Sequence, residues 1–282
     1  MTISIVIPVY NEEKHIGACL QSIAAQTRRP DEVIVVDNNC TDRTVEFAKQ
    51  FDFVRVIQQA QQGRGHARNA GFNAASSDII GRIDVDSRLD KHWVERVLKH
   101  FRDDAELAGL TGLGKTAFFP FINTPKSTLF SRSYYWFVHT QFRAVTMWGA
   151  TMAVKKSAWE SVKDQVSTDD SIVHEDQDLS LWIAASGGKI LQTNDVLITT
   201  NGQEYRFLPK LLHYNKLFHS TRSLHVQNGN LAKITNKLSA VPLMPGFVLS
   251  LVLGGMLILT SAILFPLDYV LIRSKLLNNR LS

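Results

Sequence analysis

Residues Asp78–Leu89 read DIIGRIDVDSRL, and the fold can be worked out from this stretch. Its apolar run predicts a strand over Ile79–Asp84. Because side chains alternate along a strand, Asp84 and Asp86 are expected to share a face, with Val85 pointing into a core. Two carboxylates at one strand end repel each other unless a cation or hydrogen bonds separate them. Such a pair suits Mg²⁺ or Mn²⁺ holding phosphates, although Asp-x-Asp alone is also typical of a solvated strand end.

Apolar runs on both sides of this stretch alternate with helical patterns. Further strands are expected at Ile3–Val9, Glu32–Asp37, Val54–Ile57, Leu107–Thr116 and Trp148–Val154, and helices near 16–23, 45–48, 65–75 and 93–101. Runs this apolar are typical of parallel strands that are buried on both faces. Four strand–helix alternations with short connections predict a doubly wound α/β sheet that spans residues 1–200.

Polar groups follow three of the predicted strands, at Tyr10–Glu12, at Asp37–Asn39 and at the Asp84/Asp86 pair. Ligands of doubly wound sheets bind outside the carboxyl ends of the strands, so these clusters favour a binding site. A dinucleotide site is excluded, because no G-x-G-x-x-G follows a strand and the one glycine cluster has Arg68 at the third position. A P-loop is excluded for lack of its motif.

Charge divides the chain unevenly. Residues 201–282 carry nine Lys and Arg against two Asp and Glu, a net charge of +7, so the total of +5 leaves −2 for residues 1–200. This pattern predicts contact with an anionic membrane rather than with nucleic acid, since the basic residues do not gather on the folded domain beside aromatic stacking positions.

Residues 201–282 are expected to be the part of the chain that associates with a membrane. Residues 201–240 predict a basic amphipathic, membrane-proximal region, and for 205–224 a helix that covers the sheet edge is the open alternative. Residues 241–265 carry no charge and exceed the ~20 residues that cross a bilayer core, so residues 241–282 predict a transmembrane or membrane-embedded helix with a short basic tail. Met1 and Thr2 lead directly into ISIVIPV, and no secretory leader is expected.

Five segments together resemble the inverting family 2 glycosyltransferases. They are IVIPVYNEE (5–13), VVDNNCTDRT (35–44), QGRGHARNAGFNAASSDIIGRIDVDSRL (62–89), WGATMAVKKSAW (148–159) and EDQDL (175–179). Each segment is loose by itself, but their order and separations are specific. The resemblance covers roughly residues 1–200 and implies a GT-A type doubly wound mixed sheet flanked by helices. The C-terminal amphipathic region and the one membrane helix are expected from the charge and hydropathy of residues 201–282.

The resemblance also implies the residues that bind the donor. Pro8, Tyr10, Glu12 and Asp37 would hold the base and ribose of a nucleotide sugar. Arg68 would lie near the diphosphate.

For the chemistry, the resemblance implies that Asp86 holds Mg²⁺ or Mn²⁺ on the diphosphate and that Asp84 contacts ribose or metal. Of the catalytic pair Glu175–Asp176, Asp176 would be the general base. The expected activity is a hexosyltransferase-like, inverting transfer from a nucleoside-diphosphate sugar in cell-envelope glycan synthesis. A near match to the processive Q-x-x-R-W motif, at 203–207, has Phe207 for Trp, and we expect a non-processive enzyme.

The expected location is a membrane, with the catalytic domain in the cytoplasm, where nucleotide sugars are made. The expected partners are the donor, the membrane and a glycan or lipid-linked acceptor, the last inferred from location only. Two alternatives stay open: a nucleotide-sugar-binding scaffold without turnover and a nucleotidylyltransferase. The second calls for a basic, Gly-rich opening loop, whereas this chain opens with PVYNEE.

Overall fold

The computed structural model describes residues 1–115, 128–200 and 207–235. The strands are β1 (Ile3–Val9), β2 (Glu32–Asp37), β3 (Val54–Gln58), β4 (Ile79–Arg82), β5 (Ser87–Leu89), β6 (Leu107–Lys115), β7 (Met152–Lys155) and β8 (Lys189–Thr200). The helices are α1 (Ile16–Ala24), α2 (Thr44–Ala48), α3 (Arg64–Ala74), α4 (Trp93–Asp103), α5 (Leu129–Phe142), α6 (Lys156–Val162), α7 (Glu175–Ala185), α8 (Phe207–Gln227) and α9 (Asn230–Thr235).

The described strands form one mixed sheet in the order β3-β2-β1-β4-β7-β6-β8-β5. The first four are parallel, β7 is antiparallel to both of its neighbours, and β8 is parallel to β6 and antiparallel to β5. The predicted α/β mixed sheet is therefore confirmed. Because β2, β1 and β4 are adjacent and parallel, their carboxyl ends lie at the same edge of the sheet.

Helices cover the sheet on both faces. In β1, Ile5 packs in the core cluster beneath α1 and α4, whereas its neighbour Val6 packs in the cluster beneath α3, α6 and α7. Both side chains are fully buried, which is why this strand is apolar at consecutive positions. The small residues of α3 allow close packing, since a Cβ on Gly71 would overlap Val6.

The C-terminal helices α8 and α9 pack against α7, and Phe218 of α8 stacks on Phe142 of α5 with ring centroids 4.7 Å apart. Leu217 and Phe218 are both buried. Helices α8 and α9 therefore pack on the folded domain. They lie against α7 and not against the sheet edge, which was the alternative to a helix on a membrane surface.

No helix within the three described ranges is long and apolar enough to cross a bilayer. The predicted membrane helix at 241–265, its basic tail and residues 203–206 of the near match to the processive motif lie outside these ranges.

Candidate active site

The Asp-x-Asp segment lies in a turn between β4 and β5. The prediction that the strand continues to Asp84 was wrong, because the ladder with β7 ends where Arg82 pairs with Met152. The Ser87 N–H then donates to the Asp84 main-chain oxygen at 2.9 Å and closes the turn. Val85 packs into the core, as predicted, and is 6% exposed.

The two carboxylates of this turn lie close enough to disturb each other's ionisation. Desolvation raises the pKa of Asp84, which the nearby Arg82 only partly offsets. Desolvation and the charge of Asp84 raise the pKa of Asp86, against the lowering effect of His15. Two carboxylates with raised pKa values at one turn are typical of a site that binds a cation.

These carboxylates fit a divalent ion that is bound together with a substrate. Within the described residues, no group of three His, Cys, Asp or Glu side chains gathers that could hold a metal alone. Mg²⁺ commonly takes one or two protein carboxylates and completes its shell with water and substrate phosphates. Asp86 and Asp84 are the residues that would hold it here.

Behind the turn lies a buried network of ion pairs. The Arg82 guanidinium lies 2.9 Å from Asp84 Oδ1 on one side and 2.7 Å from Glu175 Oε1 on the other. The second Glu175 oxygen accepts a hydrogen bond from Arg68 Nη1 at 2.9 Å. Arg82 and Glu175 are each 5% exposed and Arg68 is fully buried. The network therefore joins β4, α3 and the start of α7 through one carboxylate.

The contacts of Arg68 and Glu175 in this network differ from those that the resemblance implies. Arg68 was expected near the diphosphate, but its guanidinium is enclosed between Glu175 and Asn69 and does not reach the surface. Glu175 is held by two arginines, so its carboxylate is a structural counter-charge rather than a free base. The second member of the pair, Asp176, makes contacts of a different kind.

Asp176 sits in the first turn of α7 and is 3% exposed. Its Oδ2 accepts a hydrogen bond from the Gly149 N–H at 2.8 Å, and its Oδ1 lies 2.5 Å from His174 Nδ1. Burial alone would raise the pKa of Asp176, but His174, Arg82 and the Gly149 N–H together hold it well below its usual range. The carboxylate is therefore ionised at neutral pH.

The same contact favours the charged form of His174. Burial tends to lower the pKa of His174, but the charge of Asp176 outweighs it, so the pKa lies above the usual 6.5. His174 and Asp176 thus form a charge-assisted pair at the start of α7.

Three residues that shape the site were missed in the sequence: Arg82, Gly149 and His174. A Cβ on Gly149 would overlap the Arg82 guanidinium, so a larger residue there would displace the group that pairs with Glu175. A signal for Arg82 was available, because it is a lone charge inside the apolar strand IIGRI, two residues before Asp84. Charges that are buried in a strand are paired. Gly149 and His174 have no comparable sequence signal.

The residues expected to hold the nucleotide lie at the carboxyl ends of β1 and β2. Val9 pairs with Asp37 in the parallel ladder, which places Tyr10 beside the loop that follows β2. The Tyr10 side chain is 53% exposed, and Asp37 Oδ1 accepts a hydrogen bond from the Cys40 N–H at 2.8 Å. Pro8 is partly exposed in β1 itself.

An open cavity of about 440 Å³ lies next to these strand ends. It is lined by Asn11, Glu12, Glu13, Lys14, His15 and Asp42. One lining residue, His15, is also close enough to Asp86 for its charge to lower the pKa of that carboxyl. The structure thus brings Tyr10, Glu12 and the Asp84/Asp86 turn to one edge of the sheet.

Sequence comparison relates the chain to one family. The sequence profile described as Glycosyl transferase family 2 matches residues 4–154, just over half of the chain. Among curated relatives, Glycosyltransferase AglE of Haloferax volcanii is 39% identical over 101 residues, which is 33% of each chain. Glycosyltransferase GlyG of Streptococcus pneumoniae is 32% identical over 111 residues, 37% of each chain. The aligned part spans about a third of the length of these relatives.

Solved structures share the fold over most of the chain. A mannosyltransferase from Pyrobaculum calidifontis, in complex with GDP-Man and Mn²⁺, gives a TM-score of 0.60 at 19% identity over 91% of this chain and 80% of that one. TarS from S. aureus, residues 1–349 with UDP-GlcNAc, gives 0.57 at 20% identity over 88% and 76%. The architecture of this chain is the GT-A fold of these enzymes.

Proposed function

This chain belongs to glycosyl transferase family 2, and on that premise we propose that it transfers a sugar from a nucleoside-diphosphate sugar to a hydroxyl or phosphate acceptor. One observation carries the proposal. The ionised carboxylate of Asp176 lies within electrostatic reach of Arg82, which is ion-paired with Asp84 of the Asp-x-Asp turn. The charge of Asp176 also raises the pKa of Asp84, which supports a base close to the cation site. Proteins with the same fold hold GDP-Man or UDP-GlcNAc, which supports such a donor.

In this proposal the nucleotide lies along the carboxyl ends of β1 and β2. Tyr10 offers an exposed ring for stacking, and Asp37, Glu12 and Pro8 line the same edge. The diphosphate then points toward the Asp84/Asp86 turn, because β4 is the next strand in the sheet. Arg68 contributes from behind, through Glu175 and Arg82, rather than by contact with phosphate.

Asp86 and Asp84 would hold Mg²⁺ or Mn²⁺ together with the donor phosphates. A bound divalent ion supplies neutralising charge for the departing nucleoside diphosphate. Asp86 is the main ligand, because one oxygen of Asp84 is already engaged by Arg82 at 2.9 Å.

Asp176 accepts the proton of the acceptor hydroxyl. As the acceptor oxygen forms its bond to the anomeric carbon, the bond from that carbon to the diphosphate oxygen breaks, and its electron pair leaves with the nucleoside diphosphate. Because the acceptor attacks opposite the leaving group in a single displacement, the anomeric configuration inverts. The lowered pKa of Asp176 keeps the base ionised, and a well-placed base contributes roughly 10²–10⁴ in rate.

The acceptor is a glycan or a lipid-linked sugar or phosphate at a membrane. This part of the proposal rests on the +7 charge of residues 201–282 and on the uncharged segment 241–265. The catalytic domain faces the cytoplasm, where nucleotide sugars are made.

Release of nucleotide from a donor panel tests the proposal. Purified full-length protein is given UDP-, GDP- and dTDP-sugars with Mn²⁺, thermal shift selects the donor that binds, and that donor is incubated with polyprenyl phosphate and with glycan acceptors. We expect release of nucleoside diphosphate that stops with a chelator and returns with added Mn²⁺ or Mg²⁺.

The same experiment separates the two alternatives. Donor binding without release on any acceptor supports the scaffold, and release of pyrophosphate supports nucleotidylyl transfer. If no donor in the panel binds, the proposed function is contradicted.

A further inference from the structure

Helix α8 makes hydrogen bonds to the start of α7 on either side of Asp176. The His174 N–H, just before the helix, donates to Thr221 Oγ1 of α8 at 2.8 Å. The His225 ring, one turn further along α8, donates from Nε2 to Asp178 Oδ1 at 2.8 Å. Asp178 lies two residues after Asp176 in the same helical turn. The two bonds therefore bracket the proposed base.

The second of these contacts is part of a fully buried polar cluster. Asp178, Thr221, His225 and Asn230 have no exposed surface. Asp178 Oδ2 accepts the Ser167 N–H at 2.8 Å, so both of its oxygens are used. The side-chain amide of Asn230, at the start of α9, lies 2.8 Å from His225 Nδ1, so both ring nitrogens are used as well.

Apolar contacts surround this cluster and fix the ring of His225. Trp182 of α7 meets His225 edge to face, with ring centroids 5.3 Å apart. Leu181, Phe218 and Ile234 close the space between α7, α8 and α9. An enclosed carboxylate costs free energy unless a donor forms a hydrogen bond to it. The bond between His225 and Asp178 therefore favours a single position of α8 along α7.

The first turn of α7 is therefore held from two sides. From the sheet side, the Gly149 N–H and Arg82 act on Asp176 and Glu175. From the other side, Thr221 and His225 act on His174 and Asp178. A shift of α8 would move the turn that carries Asp176, and a misplacement of about 1 Å in such a group can cost 100-fold in rate.

We propose that α8 and α9 form a clamp on α7, in which His225 and Thr221 are positioning residues that set the place of Asp176 through Asp178 and His174. The effect on turnover rests on the proposed function. The effect on the mobility of α7 does not, because it follows from the packing alone.

The test combines kinetics with amide hydrogen exchange in the full-length protein. His225→Leu removes the donor to Asp178, whereas His225→Gln keeps a side-chain N–H near the position of Nε2. Thr221→Val removes one acceptor with little change of shape and serves if His225→Leu does not fold. His219→Leu, on the exposed side of the same helix, is the matched control.

We expect His225→Leu to lower kcat roughly 10–100-fold, with KM for the donor changed less than about twofold. Amides of residues 175–180 should exchange faster, while those of β1 and β2 keep the wild-type rate. His225→Gln should restore most of kcat, Thr221→Val should show the same pattern more weakly, and His219→Leu should match wild type.

The clamp is contradicted if His225→Leu or Thr221→Val leaves exchange of residues 175–180 and kcat unchanged, or if His225→Gln is as impaired as His225→Leu. A wild-type protein that turns over no donor would overturn the proposed function, and the exchange rates would still decide the clamp.

Discussion

Glu175 Oε1 lies 2.7 Å from Arg82 Nη1, and both side chains are 5% exposed. Since a buried carboxylate is stable only when it is paired, this contact fixes how α7 meets the end of β4. The second oxygen of Glu175 accepts a hydrogen bond from Arg68, so both oxygens of this carboxylate are held by buried arginines. In the proposed function, Glu175 is therefore the anchor of α7 and Asp176 is the general base.

The first prediction concerns this anchor. Glu175→Gln leaves two buried guanidinium groups without their shared carboxylate, and removal of one partner of a buried pair costs about 3–5 kcal/mol. We expect a loss of that size in the free energy of unfolding, measured by urea denaturation. Glu46→Gln breaks an exposed pair with Arg43 and is the control, for which no measurable loss is expected. Equal stability of the two variants would contradict the anchoring role.

The second prediction concerns the pH dependence of the His174–Asp176 pair. Because the pKa of His174 is raised above 6.5, its contribution is present in full below that value and is lost as pH rises through the raised pKa. His174→Asn keeps a donor but removes the charge, and a bond to a charged group is worth about 1.5–3 kcal/mol.

Urea denaturation of both proteins across pH values from about 5.5 to 9 measures this difference. Wild type should have a larger free energy of unfolding than His174→Asn at the acidic end. This difference between the two proteins, the gap, should narrow toward the alkaline end. At strongly acidic pH the gap should also close, since the lowered pKa of Asp176 is crossed there. A gap that widens with rising pH would show that the pair is not charged as inferred.

The third prediction concerns the cation site. Asp86→Asn should abolish the thermal stabilisation that Mn²⁺ adds to a bound nucleoside diphosphate. At about 100 times the Kd, a ligand adds roughly 2.7 kcal/mol, so the wild-type shift is measurable. Asp52→Asn, at an exposed position away from the turn, should keep the full shift. If Asp86→Asn responds to Mn²⁺ like wild type, the ion is held elsewhere.

The strands of the parallel half were predictable because they are buried on both faces. β1 and β2 have the bounds that their apolar runs indicate, Ile3–Val9 and Glu32–Asp37. The end of β4 was not predictable, because it depends on where β7 stops pairing, some 70 residues later in the sequence. The long strand β8 was also missed, since most of its residues are only partly buried.

The site was predicted as a set of strand ends and one acidic pair, and the strand ends do meet at one edge of the sheet. The ion pairs and hydrogen bonds that surround each of these side chains were not predictable. Arg68 and Glu175 are joined across 107 positions, and His225 and Asp178 across 47. No local pattern encodes such pairs, because each forms only when two distant helices have docked.

The most direct test of the account is the Asp176→Asn variant, with turnover and donor binding measured on the same sample. Asparagine keeps an oxygen for the Gly149 N–H but cannot take the acceptor proton. We predict that turnover falls by roughly 10²–10⁴ while the donor Kd in Mn²⁺ stays within about threefold of wild type. Asp164→Asn, at an exposed position, should retain full turnover. Near-normal turnover by Asp176→Asn would contradict its assignment as the general base.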